Sequence, residues 1–307
     1  MKKKIRKAVT HDGKFHTDDV FSAGILKTLY KDVQITRTRD ELMFNNADVV
    51  FDIGMVYDPY RNRFDHHQKD SPIREGARGI PYSTTGLIWK HFGKETIKEV
   101  LSYTSVDEKE INYVWGIIDE EIIQPIDIYD NGMDFYPGAS LKFQKFISSF
   151  LPSWNISAGQ EDMRFEQAMT ICKIFLQNEI SRSLSLYKAR EVVEEAMSGA
   201  GGVPIIEIDV RIPWIRALFD IEEEKPELKG KAKFVVLPGD GDLWQISSIP
   251  ANPNSNIAYR MKIPSSWNCE DLVTEGVKFI HKKRHFCTVA TKKAAIKLAE
   301  KAINKEE

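Results

Sequence analysis

Cysteine is scarce in this chain: only Cys172, Cys269 and Cys287 occur, far apart and without a CxxC pair. That excludes a disulfide framework and a thiolate zinc cluster, and it suits a reducing compartment. No apolar run reaches transmembrane length, and the opening "MKKKIRKAVTHDG" has basic residues without the apolar stretch of a secretory leader. A cytoplasmic or nuclear protein with no membrane partner is expected. Neither sign of charge dominates, since 43 Lys and Arg face 45 Asp and Glu for a formal charge of −2. With no global field to attract nucleic acid, any polyanion site has to be built from a local basic cluster. Internal repeats and low-complexity tracts are also missing.

What remains is an ordinary globular balance, 42 % hydrophobic and 29 % charged, over a length that suits two domains. The N-terminal half alternates β-branched runs with helical patterns: "KAVT", "DDVFSAGILKTLY", "VQITRT", "DELMFNNA" and "DVVFDIG". That alternation predicts an α/β fold with a mostly parallel sheet. Helical patterns follow at "STTGLIWKHFG" and "NYVWGIIDEEIIQ", and "PIDIYDNGMDFYPG" reads as a loop because proline and glycine break it. Apolar residues at three- and four-residue steps predict one long helix over 161–197, closed by "SGAGGVP" at 198–204. Beyond it, "PIIEIDV", "KFVVLPG", "LWQISSI", "IAYRMKIP" and "KFIHKKRHFCTVAT" read as strands and "KKAAIKLAEKAI" as a helix, a smaller α+β domain. The expected division is a catalytic domain over 1–150, a helical connector over 151–200 and a C-terminal domain over 201–307.

Four clusters in the first 132 residues are rich in hard metal ligands, each where an expected strand runs out into a loop. "THDGKFHTDD" supplies His11, His16 and Asp18, "VVFDIG" supplies Asp52, "NRFDHHQKD" supplies Asp65, His66 and His67, and "DIYDNG" supplies Asp127 and Asp130. In open α/β sheets the carboxyl ends of strands form the ligand crevice, so such loops can converge on one point. Two divalent ions roughly 3.5–4 Å apart need several ligands, one of them bridging, and a carboxylate such as Asp52 can bridge. Mixed His and Asp sets favour Mn²⁺, with Mg²⁺ the alternative that prefers oxygen alone. Any one of these aspartates is more often a cap or turn former, and any one histidine a satisfied surface or core residue. Four clusters in this order, one a consecutive Asp-His-His, exceed what capping requires.

The order His…Asp, Asp, Asp-His-His, Asp resembles the DHH phosphoesterase superfamily, which includes RecJ-type exonucleases, oligoribonucleases and manganese-dependent inorganic pyrophosphatases. More closely, "THDGKFHTDDVFSAGIL", "ADVVFDIGMVYDPYRNRFDHHQ", "DIYDNG" and the closing "FIHKKRHF" are similar to the melanocyte-proliferating-gene family of exonucleases, where histidine stands at the position of His16. The resemblance implies a DHH-type catalytic domain followed by a smaller substrate-binding domain. It implies a phosphodiesterase that uses two metal ions and acts 3′ to 5′ on single-stranded RNA or a short oligonucleotide. It places His11, His16, Asp18, Asp52, His66 or His67, and Asp130 on metal positions. Asp65 is then a ligand or a partner that fixes an imidazole tautomer, and only one of Asp127 and Asp130 need face the metals. Asp52, His66 and His67 carry the chemistry, with one of the two histidines free to protonate the leaving group.

In the C-terminal domain, "FIHKKRHFCTVAT" gathers His281, Lys282, Lys283, Arg284 and His285 between apolar strand residues. A basic run is often only a solvated face, but here it is a candidate phosphate or 3′-end site. Related DHH proteins place a Gly-Gly turn near this point, whereas this chain has Cys287-Thr288, so side chains of Arg260, His281 and Arg284 are expected to bind substrate instead. Trp244, Tyr259 and Trp267 are candidate base platforms or core residues. "GDGDLW" lacks calcium-loop spacing and reads as a hairpin turn. Two other readings stay open. One is a hydrolase of pyrophosphate or a dinucleotide; the other is a catalytically quiet binding protein, although no expected ligand position has become apolar.

Overall fold

Runs of two to four residues are enough for the first sheet because its central strands are buried, with Ala8, Val9, Val49, Val50, Phe51 and Phe64 almost inaccessible. The computed structural model describes residues 5–76, 79–133, 139–153, 159–199, 204–255 and 257–304, and the chain divides into two compact units, Met1–Leu184 and Ser185–Glu307.

The first unit opens with β1 (Lys7–Thr10), α1 (Thr17–Leu29), β2 (Gln34–Arg37), α2 (Glu41–Asn45), β3 (Val49–Phe51), β4 (Tyr57–Asp58) and β5 (Arg63–Phe64). The strand order is β2-β1-β3-β5-β4. β2, β1, β3 and β5 are mutually parallel, and β4 alone is antiparallel, on the edge. The expected mostly parallel α/β sheet is therefore present. Helices α3 (Thr84–Val100) and α4 (Glu108–Ile118), a π-turn over Asp119–Ile123, α5 (Gln124–Asp130), α6 (Ala139–Ser148) and α7 (Glu161–Gly199) follow. Helix α1 is buried nearly all round, from Val20 and Phe21 to Ile25 and Leu26, and Trp89 of α3 is fully buried in the same core. Hydroxyls lock the two helices: Thr85 donates to the Asp18 carbonyl at 2.6 Å, and Ser22 and Thr85 share a hydrogen bond at 3.3 Å.

Two expectations are corrected here. "PIDIYD" is helical: Pro125 stands just where the π-turn passes into α5, so the change of hydrogen-bond register falls at the residue that lacks an N–H. Residues 131–133 turn as expected, and 134–138 of that expected loop lie outside the described residues. The long helix is present as α7, but the compact units divide inside it at Leu184. Its first part, with Phe165, Ala168, Cys172 and Ile180, packs in the first core, while Val193 and Met197 pack in a core of the second unit. Residues 200–203 of the expected glycine-rich boundary lie outside the described residues.

The second unit contains β6 (Ile205–Glu207), α8 (Trp214–Glu224), β7 (Phe234–Pro238), β8 (Trp244–Ser248), β9 (Val277–Ile280), β10 (Phe286–Val289) and α9 (Lys292–Ile303), with strand order β6-β7-β8-β10-β9. Alternation along β7 serves two cores: Phe234 and Val236 meet α9 through Ala295, Leu298 and Ala299, while Val235 and Leu237 meet Trp214, Leu218 and Ile221 of α8. The reading of "GDGDLW" as a hairpin turn agrees with the antiparallel β7–β8 pair on either side of it. "IAYRMKIP" is not a strand but makes a single bridge, Tyr259 to Pro250, and the run "KFIHKKRHFCTVAT" is a hairpin that turns over 281–285. Among the described residues no helix is long and apolar enough to cross a membrane.

One close contact ties the fold to the site described below. Gly86 of α3 lies against α5 so tightly that a Cβ there would meet both Asp127 carboxylate oxygens at 2.5 Å and Tyr82 at 2.7 Å. Gly86→Ala is therefore expected to destabilise the protein by about 1–3 kcal/mol, the usual scale of overpacking. Chemical denaturation with an unchanged m-value would register the loss, and an unaltered midpoint would show that α5 yields freely.

Candidate metal centre

Each carboxyl end of β1, β3 and β5 delivers candidate ligands. His11 follows β1 directly. Its Nδ1 lies 3.0 Å from the Asp12 carbonyl, and its Nε2 lies 3.1 Å from Asp19 and 3.2 Å from Asp52. The loop then enters α1, where the His16 N–H donates to Asp19 Oδ1 at 2.9 Å. That bond caps the helix start and leaves Oδ2 for His11. Asp18 and Asp19 thus sit at the positive end of a helix, which eases the cost of placing two carboxylates there.

Asp52 ends β3 in a left-handed conformation, φ 56°, which is uncommon outside glycine. Its N–H donates to the Phe64 carbonyl at 3.0 Å, and Thr84 Oγ1 donates to its Oδ1 at 2.9 Å. β5 leads into Asp65, His66 and His67. His66 Nε2 lies 3.1 Å from Asp130, 3.7 Å from Asp52 and 3.8 Å from Asp18. Asp65 is buried. It accepts the Met55 N–H at 2.6 Å and lies 2.7 Å from His67 Nδ1. Hydrogen-bonded this way, Nδ1 keeps a proton, and Nε2 is the nitrogen that can exchange a proton or meet a cation.

Three sets of potential ligand atoms result, each within 4.8 Å of one another: His11, Asp19 and Asp52; Asp18, His66 and Asp130; and Asp52, His66 and His67. Asp52 and His66 each belong to two of the three. They line an open cavity of about 820 Å³ together with His16, Asp65, Lys14 and Arg39.

The protonation energetics match a cation site. Both Asp18 oxygens are buried without a hydrogen-bond partner among the described residues. Burial first, then repulsion from Asp52 and Asp130, pushes the Asp18 carboxyl well above its usual range. Burial and Asp52 likewise push Asp130 up to about 7. His11 is opposed by burial, yet its contacts with Asp19 and Asp52 push it up to about 10. Burial lowers His66, so its nitrogen stays available to a ligand, whereas the bond to Asp65 raises His67. Oxygen-rich sets with one or two imidazoles suit a divalent ion such as Mn²⁺, and the self-repelling carboxylates fit one.

Not every expected residue joins. His16 lines the cavity, with its ring 6.0 Å from that of His11, but enters none of the three sets. Asp65 is placed behind His67 rather than in a set. Asp127 is fully buried and committed elsewhere: Arg74 Nε donates to it at 2.6 Å, and the Ser83 N–H and hydroxyl donate at 2.9 and 2.6 Å. Arg74 also reaches Asp119 at 2.6 Å, so it clamps α5, the helix that carries Asp130, against the loop after the Asp-His-His run. Asp19, Thr84 and Arg74 escaped the sequence reading. Only Asp19 left a signal, as the second acid of "HTDD", and a capping role accounts for that equally well.

In the second unit, Arg260 is bound to buried Glu222, at 2.5 and 2.7 Å, and stacks over Phe219. Arg284 turns in a left-handed conformation, φ 60°, and donates to the carbonyls of Pro264 and Trp267. Both guanidinium groups therefore hold the fold, and of the three expected substrate contacts only His281 is committed no further than to a neighbouring backbone N–H, that of Lys283.

Metal-free protein should lose stability as pH rises. Folded Asp130 keeps its proton up to about pH 7 but would release it near its ordinary 3.8 on unfolding, so its contribution is complete at acid pH and is lost across that window. His11 adds the same sign between its ordinary 6.5 and about 10. Thermal melts in chelator should fall accordingly, Mn²⁺ should restore them, and Asp130→Asn should flatten the slope.

A profile for the MYG1 exonuclease family, described as "Uncharacterised protein family (UPF0160)", matches residues 7–303. A MYG1 protein of Schizosaccharomyces pombe is 28 % identical over 97 % of both chains. One from Caenorhabditis elegans is 30 % identical over 96 % of this chain and 94 % of its own. The MYG1 exonuclease of Homo sapiens is 28 % identical over 84 % of this chain and 73 % of its own. A pGpG-specific phosphodiesterase of Vibrio aligns over 98 % of each chain at 15 % identity with a TM-score of 0.26, too loose a superposition to support an argument. The profile spans nearly the whole sequence and both units, and on that ground the chain belongs to the MYG1 exonuclease family.

Proposed function

We propose that the chain is a phosphodiesterase of the DHH type, dependent on two Mn²⁺ ions, that shortens single-stranded RNA from its 3′ end. The first unit would be the catalytic one and the second would hold substrate. One observation carries the reading: three ligand sets that overlap at Asp52 and His66 meet in one open cavity, among carboxylates too crowded to ionise together without a cation. The relatives named as exonucleases support the substrate class.

When bound, a divalent pair neutralises phosphate charge and makes water acidic enough to ionise near neutrality. The residues do the rest. Asp52 is fixed by Thr84 and by the β3–β5 ladder, so its two oxygens keep their separate directions toward His11 and His66. His66 stays neutral through burial. His67 is half-exposed in the cavity, its proton favoured and its ring oriented by Asp65, which suits it to protonate the leaving 3′ oxygen. Lys14 and Arg39 at the cavity rim add positive charge for the substrate's phosphates.

Asp52→Ala should abolish metal-dependent cleavage of 5′-labelled RNA while the circular dichroism spectrum is retained. Full turnover in that variant would refute the centre. A ladder of shortening products fixes the polarity, and cleavage of pyrophosphate or a dinucleotide without a ladder would redirect the substrate to a small molecule. His67→Gln should lower kcat on RNA by roughly 10²–10⁴-fold, the scale of general acid catalysis, and far less on a p-nitrophenyl ester whose leaving group needs no proton.

A further inference from the structure

The turn between β9 and β10 carries rings that neither the catalytic proposal nor the second unit's cores account for. Tyr259 and His285 are stacked, with centroids 5.4 Å apart and planes 16° apart. His285 meets His281 edge-on at 4.1 Å, and His281 meets Phe286 at 5.1 Å and Phe279 at 6.3 Å. The ladder is not sealed in a core: Phe279 is 46 % exposed, and Tyr259, His281 and His285 are half-buried. Its members come from separate segments, the bridge at Tyr259, the end of β9 and the turn into β10. Sequence proximity alone therefore does not explain their alignment.

Charge gives the ladder a direction of use. Residues 277–289 hold Lys278, Lys282, Lys283 and Arg284 and no aspartate or glutamate, in a chain whose overall charge is −2. Arg284 is drawn inward to the Pro264 and Trp267 carbonyls, which leaves Lys282 and Lys283 exposed at the turn. Lys262, also exposed, stands 5.9 Å from the Tyr259 ring. The Lys283 N–H donates to His281 Nδ1 at 3.1 Å, which puts the ring proton on Nε2 as a donor. His285 Nδ1 is buried with no hydrogen-bond partner among the described residues. Lysines beside stacked rings, with no carboxylate among them, are the recognition chemistry of unpaired bases on a phosphate backbone: rings take the base faces and cations take the phosphates. In a duplex those base faces are already covered.

We infer that Tyr259, His285, His281 and Phe279 form a stacking platform for the bases of single-stranded nucleic acid, with Lys262, Lys282 and Lys283 on its phosphates. This rests on the reading of the chain as an enzyme of oligonucleotides, and it replaces the expected arginine contacts with rings.

The test separates the two ideas. Full-length protein in chelator, where no metal-dependent cleavage occurs, is titrated with a fluorescein-labelled oligouridylate and, separately, with an RNA duplex, by fluorescence anisotropy. The oligouridylate should bind the more tightly. Phe279→Ala and the bulk-conserving Tyr259→Leu should each weaken it by about fivefold or more, the lower end for one stacked base. Tyr60→Ala, which removes a ring 99 % exposed in the first unit, should not. Ring variants that bind like wild type, wild type that binds no oligouridylate, or a loss seen only with Lys282→Ala and Lys283→Ala and equal on duplex would each overturn the platform. Wild type that binds the oligomer through these rings yet fails to shorten it with Mn²⁺ would overturn the exonuclease reading and leave the platform standing.

Discussion

Repulsion among buried carboxylates is the constraint around which the first unit is organised. Asp18, Asp19 and Asp52 are each less than 5 % exposed, and Asp130 lies beside them against His66. Water screens charges held there poorly, so the folded chain takes up protons or cations or loses stability. The neighbouring structure relieves part of that strain. The N-terminus of α1 offers its positive end to Asp18 and Asp19, His11 stands between Asp19 and Asp52, and Thr84 donates to Asp52.

Asp130 depends on a different interaction. Helix α5 is set against the rest of the unit by Arg74, whose guanidinium spans Asp119 and Asp127 and stacks over Tyr82 at 4.6 Å. A planar fork satisfies two buried carboxylates at once, which a lysine cannot do. Burial raises Asp127 to about 6 even so, against the pull of Arg74 and Ser83. The ion triad and the glycine at 86 therefore act together: one pulls α5 inward and the other makes room for it. The π-turn before α5 inserts an extra residue into the helical phase, which sets the direction from which Asp130 approaches His66.

The second unit shows the same economy with cations. Of five adjacent basic residues at 281–285, the arginine is used internally, and two lysines remain at the surface with two histidines in a ring ladder. Arg260, the other expected anion contact, neutralises Glu222, which α8 buries at 1 % exposure. An arginine in a sequence carries no mark of whether its partner is a ligand or a buried acid of its own chain.

The alternation of short strands and helices made the parallel sheet legible, because strand period and helix period are local properties of the chain. The spacing of His11, Asp18, Asp52, His66 and Asp130 was legible for the same reason: loops at strand ends recur in sequence, and the residue types report hard-ligand chemistry. Helix α8 was passed over although Trp214, Ala217, Leu218 and Ile221 keep helical spacing, since strand-like runs flank it on both sides. "PIDIYD" was misread because proline reads as a break, whereas here the helix runs through Pro125 at the edge of a π-turn.

By itself, the sequence determined the α/β fold class and marked the loops that carry the candidate ligands, since both follow from residue type and local period. Tertiary structure alone decided which acid does what. Asp127 and Asp130 are three residues apart on one helix, yet one is clamped by Arg74 and the other meets His66; Asp19 joins His11 while His16 stays outside the ligand sets. Those outcomes turn on partners 53 and 64 residues distant, or on ångström differences in side-chain approach, and no local pattern encodes either.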